Sequence, residues 1–202
     1  QGHYENTLAN AIAWYYRNEE TPFVFRAVNR LDRDTSGLIL LAKNPYSSCI
    51  LSDAVKDHAI HREYAAIVSG KTADSGTIDL PIARKDGSTI ERICDPERGE
   101  AAVTHYQTIA YNKDADLSFI RLLLETGRTH QIRVHMKAIG HPLPGDFLYC
   151  PDYRLIDRQP LHSIYLSFSH PVTGKKLEFS APLPQDMQNL FPDIKNPEGP
   201  VF

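Results

Sequence analysis

Residues 30–37 read Arg30-Leu31-Asp32-Arg33-Asp34-Thr35-Ser36-Gly37, and the apolar run Leu38-Ile39-Leu40-Leu41-Ala42, ending at Lys43, follows at once. The apolar run has the pattern of a strand buried on both faces, and residues 23–28 have the pattern of a second strand. The residues between these strands would form a short loop that holds two carboxylates and two guanidinium groups. This strand–loop–strand arrangement is the starting point of the fold prediction.

Asp32 stands out in the loop because cations flank it on both sides. A carboxylate beside cations stays ionised, and an ionised carboxylate held by rigid strands can act as a nucleophile or a base. The alternative is an ordinary surface turn, in which Asp34, Thr35 and Ser36 bond to the backbone. In such a turn Gly37 would adopt a left-handed conformation. The residues alone leave both interpretations open.

The composition limits the class of protein. The 202 residues are 42% hydrophobic, which suffices for one good-sized core in a single domain. No apolar run approaches the roughly 20 residues that cross a bilayer, and no signal peptide is recognisable. Cys49, Cys94 and Cys150 stand far apart, without a Cys-x-x-Cys pair. We therefore expect no disulfide framework, no zinc site and a cytoplasmic location.

The charges are unevenly distributed along the chain. The net charge of −3 argues against a protein that coats itself with nucleic acid. Basic residues nevertheless cluster within residues 26–43 and 121–137, whereas acidic residues cluster within 53–57 and 91–100. This segregation is compatible with a local basic groove for RNA.

The remaining pattern predicts an α+β domain. Helices are predicted at residues 6–18, capped by Asn6 or Thr7, and at residues 45–59, which begin with Pro45. A further short helix is expected after residue 184. The predicted strands and strand fragments are residues 61–68, 76–82, 89–93, 102–111, 117–125, 164–169 and 175–180. Strand-rich segments with interspersed helices and long antiparallel pairs are typical of this class.

A second informative run is Thr126-Gly127-Arg128-Thr129-His130-Gln131-Ile132-Arg133-Val134-His135-Met136-Lys137-Ala138-Ile139-Gly140. Gly127 is expected to end a strand. Thr129 can cap a helix, and Gly140 can end it. The run therefore predicts a helix that follows directly on a long strand.

His130, Arg133 and Lys137 share one face of this predicted helix. A helix N terminus with cationic side chains is suited to an anion, either a phosphate or a carboxylate such as Asp32. The alternative is an ordinary solvated helix face. A metal site is not expected, because His130 and His135 are five residues apart and would not share a face.

These runs together resemble signature motifs of the RluA family of pseudouridine synthases. Residues 30–37 are similar to the motif (His)-Arg-Leu-Asp-x-x-Thr-Ser-Gly, although Asn29 stands where the family usually has His. Residues 62–68 resemble (Lys/Arg)-x-Tyr-x-Ala-x-Val. Residues 127–135 match Gly-Arg-(Thr/Ser)-His-Gln-(Ile/Leu)-Arg-Val-His in full. Together with the similar runs at 140–146, 161–163 and 168–174, the resemblance extends from about Thr7 to Met187 in family order.

The resemblance implies roles for particular residues. It implies that Asp32 is the catalytic nucleophile, that Tyr64 lines the active site against the target base, and that Arg133 pairs with Asp32. The implied substrate- and RNA-binding residues are Arg30, Arg33, Thr35, Arg128, His130, Gln131, Lys137 and Leu161. Leu161-His162-Ser163 would begin the last core strand, and residues 140–146 are interpreted as a structural turn.

The resemblance also implies a fold and a function. The fold would be a mixed, mainly antiparallel sheet with a central cleft and flanking helices, in one catalytic domain over residues 1–202. Its core would span about residues 7–187, and residues 188–202 would form a loose tail. The function would be isomerisation of specific uridines in ribosomal or transfer RNA, without metal or cofactor. The family's opening Lys-Pro-x-Gly strand and a separate RNA-binding domain are absent, so an N-terminal part is expected to be missing.

Two other functions remain as alternatives. The first is a catalytically inactive RNA-binding module that keeps the fold, for which Asn29 in place of His is the one indication. The second is a glycoside or nucleoside hydrolase, which is also built on carboxylates but usually needs a second acidic group. Asp34 is the nearby candidate, and its two-residue offset from Asp32 would point it away in an extended segment.

Overall fold

The structure is a computed structural model that describes residues 5–18, 23–194 and 199–202. The described residues form two compact units. The first contains those within 1–30, 39–60 and 168–177, and the second contains those within 31–38, 61–167 and 178–202. In these ranges no helix is long and apolar enough to span a bilayer. The single catalytic domain expected over residues 1–202 stays a prediction.

Two helices of the first unit form where the sequence predicted them. Helix α1 spans Leu8–Tyr15, and Thr7 caps it through reciprocal hydrogen bonds with Asn10. Helix α2 spans Pro45–Lys56, and the side chain of Asn44 accepts a backbone hydrogen bond in its first turn. Both predictions are confirmed, and both helices are shorter than predicted.

The strands predicted at residues 23–28 and 38–43 do not form, and this part of the prediction is wrong. Ala27 and Leu41 make a single isolated antiparallel bridge in this described part of the chain. Two backbone hydrogen bonds of 2.9 Å flank the bridge. The residues from Leu38 to Leu41 are half-buried rather than buried on both faces.

Asn29 is the physical reason for the short pairing. Its Oδ1 accepts the Leu40 N–H at 2.7 Å, so a side chain takes a donor that a longer ladder would use. Asn29 is itself buried. The residue at the family's usual His position therefore holds the backbone of the first unit.

The described residues form nine strands, and seven of these strands belong to one mixed sheet. They are β1 (Ser36–Gly37), β2 (His61–Ser69), β3 (Ser75–Asp79), β4 (Ile82–Arg84), β5 (Arg92–Cys94), β6 (Val103–Asn112), β7 (Leu117–Leu124), β8 (Leu161–Ser169) and β9 (Lys176–Ser180). The sheet order is β1-β8-β2-β7-β6-β3, with β9 paired to β8, while β4 and β5 form a separate hairpin. The β1–β8 pair is parallel and the other registered pairs are antiparallel. The predicted α+β class with a mainly antiparallel sheet is confirmed.

Two helices of the second unit cover the two faces of the sheet. Helix α3 spans Gln131–Ala138 and helix α4 spans Gln185–Leu190. One face and α3 bury a cluster that includes Tyr64, Ala66, Val68, Ile120, Leu122, Ile132 and Met136. The other face and α4 bury a cluster that includes Ala65, Ile67, Phe119, Met187 and Phe191. Alternate residues of β2 thus enter opposite cores, as strand geometry requires.

The described C-terminal residues are bound, which differs from the loose tail expected over residues 188–202. The Glu63 carboxylate accepts the Val201 N–H at 3.0 Å and the Phe202 N–H at 3.1 Å. Arg121 donates to the same carboxylate and to the Gly199 carbonyl. Glu63 and Arg121 are almost fully buried, and buried charges need such partners. Residues 195–198 lie outside the described part of the chain.

Candidate active site

The loop that carries Asp32 is a tight turn leading into β1. The Thr35 N–H donates to the Asp32 carbonyl at 3.1 Å, and Asp34 has a φ of +68°, which few non-glycine residues adopt. Gly37 has a φ of +110°, and a Cβ at this position would lie 2.2 Å from the carbonyl oxygen of Ser163. The turn and the left-handed glycine expected from the sequence are present. Asp32 is therefore presented by a loop that is fixed at both ends.

Asp32 faces the guanidinium of Arg133. The Arg133 Nη1 donates to the Asp32 Oδ2 at 3.2 Å, and the side chains are 16% (Asp32) and 1% (Arg133) exposed. Arg133 lies on α3, so the expected pair brings together two residues that are distant in sequence. A partly exposed carboxylate held by a buried cation has the geometry of a reactive group with a fixed direction.

Asp146 holds Arg133 more tightly than Asp32 does. Its two oxygens accept from the Arg133 Nε at 2.6 Å and Nη2 at 2.7 Å, and its Oδ1 also accepts the backbone N–H groups of Leu148 and Tyr149. Burial alone would lower the pKa of Arg133, but Asp146 and Asp32 raise that pKa above its ordinary value. The sequence predicted a structural turn here and missed this role. An acidic residue directly after Gly145 was the available signal.

Arg133 shares two aromatic neighbours, Phe147 and Tyr149, with two further cations. The Arg133 guanidinium carbon lies 5.5 Å from the Phe147 ring centre and 5.0 Å from that of Tyr149. Arg33 lies 4.6 Å above the Phe147 ring, and Lys137 lies 5.5 Å from the Tyr149 ring. The structure therefore gathers three of the predicted cations around the site.

His130 is positioned by Tyr149. Helix α3 begins at Gln131 with His130 at the N-cap position and a φ of +59°, so the predicted cap by Thr129 is wrong. The Tyr149 hydroxyl accepts the Arg92 N–H at 2.9 Å and lies 2.9 Å from the His130 Nδ1. The hydrogen bond between the Tyr149 hydroxyl and the His130 Nδ1 therefore fixes the orientation of the His130 ring.

The His130 ring is neutral at pH 7. Burial lowers the pKa of His130, the Asp32 carboxylate opposes this shift, and the Arg133 cation adds to it. Burial also raises the pKa of Tyr149 to about 12, so its hydroxyl keeps its proton. His130 is thus a neutral ring rather than a cation at neutral pH.

Tyr64 lies on β2, 6% exposed. The register with β8 shifts between Glu63 and Tyr64, and such irregularities re-aim side chains beside active sites. Burial raises the pKa of Tyr64, the Arg62 cation opposes this, and the Asp32 carboxylate adds to it. The hydroxyl therefore stays protonated at neutral pH, and Asp32 lies close enough to act on the pKa of this hydroxyl.

Arg62 is a site residue that the sequence interpretation missed. It is half-buried, and among the described residues its buried Nε has no hydrogen-bond partner. Its Nη2 lies 3.9 Å from the position that a Cβ on Gly127 would take. The signal was the basic position two residues before Tyr64. The Arg62 cation lies close enough to Tyr64 to oppose the rise in the pKa of its hydroxyl.

Gln131 is enclosed and holds its own loop. Its Oε1 accepts from the Thr126 hydroxyl at 2.8 Å and from the Arg128 N–H at 3.0 Å. Its Nε2 donates to the Val103 carbonyl at 2.9 Å and to the Thr104 hydroxyl at 3.0 Å. All four hydrogen-bonding positions of the amide are used within the protein. This arrangement fixes residues 126–131 against β6 and leaves the amide no capacity for RNA.

The other predicted RNA-binding residues are distributed unevenly. Arg128 donates to the Ala101 carbonyl and pairs with Glu100, with its side chain 41% exposed. Thr35 is half-buried in the Asp32 loop, and Leu161 is buried in the core. Arg30 is exposed and belongs to the first unit. Among the described residues, no three His, Cys, Asp or Glu side chains lie together in a way that could hold a metal ion.

Comparison with known proteins shows the family of this chain. The model of the RNA pseudouridylate synthase family matches residues 2–138, more than half of the chain. The chain belongs to the RNA pseudouridylate synthase family. Relatives of the RluA type confirm the branch that the motifs predicted.

Curated relatives extend the match along this synthase-family chain. It is 48% identical over 190 residues to the uncharacterized RNA pseudouridine synthase YjbO of Bacillus subtilis, covering 94% of this chain and 66% of the relative. It is 42% identical over 207 residues to ribosomal large subunit pseudouridine synthase D of Zymomonas mobilis, covering 94% and 64%. The chain thus spans slightly less than two thirds of the length of these relatives.

Solved structures of human proteins share the fold of this synthase-family chain. RNA pseudouridylate synthase domain containing 1 has a TM-score of 0.69 and 25% identity, covering 87% of this chain and 83% of its own. RNA pseudouridylate synthase domain containing 4 has a TM-score of 0.68 at 20% identity, covering 88% and 78%, which supports the fold alone.

Proposed function

We propose that this chain is an RNA pseudouridine synthase, an isomerase that converts specific uridines in RNA to pseudouridine with Asp32 as its catalytic nucleophile. The observation that carries the proposal is the partly exposed Asp32 carboxylate, which accepts a hydrogen bond from Arg133. Asp146 in turn holds Arg133 through two further hydrogen bonds. Membership of the family supports the same activity.

The reaction leaves the elemental composition of the nucleotide unchanged. The bond between N1 of the uracil and C1′ of the ribose breaks, the base rotates, and a bond between C5 and C1′ forms. The hydrogen on C5 leaves as a proton, and N1 gains a proton. Because nothing is oxidised or reduced, the chemistry requires no redox partner.

Asp32 is the group that starts this exchange. It attacks C1′ or the base, or it removes a proton from the sugar, and each route needs a carboxylate directed at the nucleoside. Arg133 gives Asp32 that direction and stabilises its charge before and after the reaction. The partial exposure of Asp32, in contrast to the enclosure of Arg133, leaves one side of the carboxylate open to substrate.

Tyr64 and the surrounding cations supply RNA recognition. A uridine in folded RNA must leave its stack before it reaches the carboxylate, and an aromatic ring can then cover its exposed face. Tyr64 provides that ring, while Arg33, Arg62 and Lys137 provide phosphate contacts. Gln131, which we expected to bind RNA, uses all four positions of its amide within the protein, whereas Leu161, which is buried like Tyr64, stays a predicted binding residue.

The names of relatives indicate which class of RNA is the substrate. Several relatives carry the name of ribosomal large subunit pseudouridine synthase. We therefore propose ribosomal RNA as the first substrate to examine, with transfer RNA as the second. Three free cysteines suit an enzyme that works in the reducing cytoplasm.

The two alternatives are less well supported. For an inactive module the indication was Asn29, but Asn29 has a structural task on the Leu40 backbone. For a hydrolase the second acid was Asp34, but its carboxylate bonds to Arg33 and is 42% exposed. The hydrogen bond between Arg133 and Asp32 meanwhile supports the synthase.

Nucleoside analysis of treated RNA tests the proposal. Ribosomal and transfer RNA are incubated with the protein, digested to nucleosides and separated by chromatography, with free uracil measured in parallel. We expect pseudouridine to replace uridine one for one, with no free uracil. Free uracil and abasic sites would support the hydrolase, and tight RNA binding with unchanged nucleosides would support the inactive module.

A further inference from the structure

Three side chains from one segment hold the loop that presents Asp32. The Arg158 Nη1 donates to the Asp34 carbonyl at 3.0 Å, and the Gln159 Nε2 donates to the Arg33 carbonyl at 2.5 Å. The His162 ring is hydrogen-bonded to the hydroxyl of Ser36, on the far side of the loop, at 2.9 Å. We name Arg158, Gln159 and His162 the loop clamp. Its contacts reach a residue next to Asp32 and follow the loop into β1.

Gln159 is the central member of the loop clamp. It is completely buried, and its Nε2 also lies 3.4 Å from the Thr35 hydroxyl. Its Oε1 has no hydrogen-bond partner among the described residues. Burying an amide whose oxygen has no hydrogen-bond partner is unfavourable, so core packing alone does not account for a glutamine here. The donated hydrogen bonds to the loop are what this side chain contributes.

Arg158 connects the loop to a helix. Its Nε and Nη2 donate to the two carboxylate oxygens of Asp186 on α4, at 2.6 and 2.9 Å. This fork–fork pair fixes the plane of the guanidinium. The remaining Nη1 then meets the Asp34 carbonyl, at the residue whose φ is +68°. The strained backbone at Asp34 is thus held from a rigid element of the same unit.

Two members of the loop clamp, Arg158 and Gln159, act on the backbone of the loop, whereas Arg133 acts on the carboxylate. A single 3.2 Å hydrogen bond from Arg133 sets the outer end of Asp32. The position of the Asp32 main chain follows from the backbone of Arg33 and Asp34. We propose that Gln159, with Arg158, is a positioning residue that fixes the direction in which Asp32 meets the target nucleoside. This inference rests on the proposed function.

Gln159→Glu tests the inference with almost no change of shape. The introduced carboxylate cannot donate to the Arg33 carbonyl, so we expect kcat for pseudouridine formation to fall at least about 10-fold, because small misplacements of a reacting group are costly. KM for RNA should stay within about 2-fold, since no phosphate or base contact is removed. The matched control is Gln188→Glu, which removes a hydrogen bond from a side-chain amide to the Leu183 carbonyl elsewhere in the same unit. The control should keep the wild-type kcat.

Acid rescue separates positioning from a general loss of structure. Burial and the facing carbonyl raise the pKa of the introduced carboxyl, and its protonated form can donate again. The kcat of Gln159→Glu relative to wild type should therefore rise as the pH falls from about 8 to about 6. Gln159→Met, which cannot donate at any pH, should show the same loss without rescue. It also replaces Gln159→Glu if the buried charge prevents folding.

Hydrogen exchange provides a readout that does not depend on activity. Amides of residues 31–38 should exchange at least about 10-fold faster in both Gln159 variants and at the wild-type rate in Gln188→Glu. Unchanged exchange in this loop, or a wild-type kcat in Gln159→Met, would overturn the inference. A wild-type protein that forms no pseudouridine would instead overturn the proposed function, and the exchange experiment would still decide whether Gln159 holds the loop.

Discussion

Asp146 is the residue on which the geometry of Arg133 depends most. It makes two hydrogen bonds of 2.6 and 2.7 Å with the guanidinium, compared with one of 3.2 Å from Asp32. Asp146 thereby fixes the Nε and Nη2 of Arg133, and the Nη1 is left to bond to Asp32. Without Asp146, Asp32 would be the main anion for a buried cation, and its carboxylate would be drawn away from substrate.

Asp146→Asn should therefore reduce both stability and turnover. Removing one partner of a buried ion pair is expected to lower the free energy of unfolding by about 3–5 kcal/mol. Turnover should fall by about 100-fold, because the direction of Asp32 changes. Urea unfolding and single-turnover pseudouridine formation measure the two effects. The control is Asp152→Asn, since Asp152 forms a similar fork with the exposed Arg154 and should change neither quantity appreciably. Wild-type turnover in Asp146→Asn would refute the role of Asp146.

Tyr64 is expected to bind the target base through its ring. In an Asp32→Asn background, which prevents turnover, Tyr64→Phe should bind RNA as tightly as the parent does. Tyr64→Leu keeps the bulk without the ring and should bind about 5- to 150-fold more weakly, corresponding to about 1–3 kcal/mol of stacking. Equal affinities of the Phe and Leu variants, measured by fluorescence anisotropy, would exclude a stacking role.

At the scale of elements, the parallel pair of β1 and β8 brings the Asp32 loop to the main sheet. Strand β1 is two residues long, so its attachment depends on the close approach of Gly37 to Ser163. The Leu38 N–H adds a hydrogen bond to the Ser163 carbonyl at 2.9 Å. A side chain at residue 37 would separate the two strands.

Gly37→Ala should destabilise the protein far more than Gly87→Ala. Both glycines have positive φ values, but the space around Gly87 is open. Gly87→Ala should cost about 1–2 kcal/mol from backbone strain alone. Gly37→Ala should cost at least about 2 kcal/mol more, because the strand pair must also move apart. Equal midpoints in chemical unfolding would show that the close approach is dispensable.

Elements with local signals were predictable from the sequence. Thr7 and Asn44 mark the starts of α1 and α2 through side-chain caps, and alternation predicts the antiparallel pair of β6 and β7. The predicted strand at residues 38–43 failed because an apolar run does not reveal whether hydrogen-bond partners are available. The side chain of Asn29 accepts the hydrogen bond of the Leu40 N–H, and the place of Asn29 in the sequence does not indicate this contact.

The candidate site was predictable only in part, for the same reason. The pair of Asp32 and Arg133 follows from two motifs that resemble a family. Asp146 lies 13 residues from its partner, within what looked like a structural turn. Gln159 lies 126 residues from Arg33, and an isolated glutamine between a cation and a proline gives no signal. Supporting residues of this kind become visible only once the chain is folded.

At the scale of the whole molecule, three neutral histidines, two buried and one half-buried, link stability to pH. Burial lowers the pKa of His130, His135 and His162. In the unfolded chain each would titrate near its ordinary value, so below about pH 6.5 the unfolded state binds more protons than the folded state. Their contribution to stability is therefore complete above that pH and is lost as the pH falls toward the folded-state values.

The free energy of unfolding should consequently fall between about pH 7.5 and about pH 5, with a slope of up to about 1.4 kcal/mol per pH unit for each histidine. His135→Gln should reduce this slope, because the amide can replace the bonds to Thr104 and Leu80 without titrating. The control is His58→Gln, which makes the same substitution at an exposed position. Denaturation curves at several pH values measure the slope, and an unchanged slope in His135→Gln would contradict this account.

The most direct test of the central claim is tritium release from RNA labelled at C5 of uridine, with wild type and Asp32→Asn compared at equal RNA occupancy. Formation of the new bond at C5 must expel that hydrogen, whichever route Asp32 takes. We expect wild type to release one tritium for each pseudouridine formed, and Asp32→Asn to release it at less than about a hundredth of that rate. Release by Asp32→Asn at more than about a tenth of the wild-type rate would contradict the assignment of Asp32 as the nucleophile.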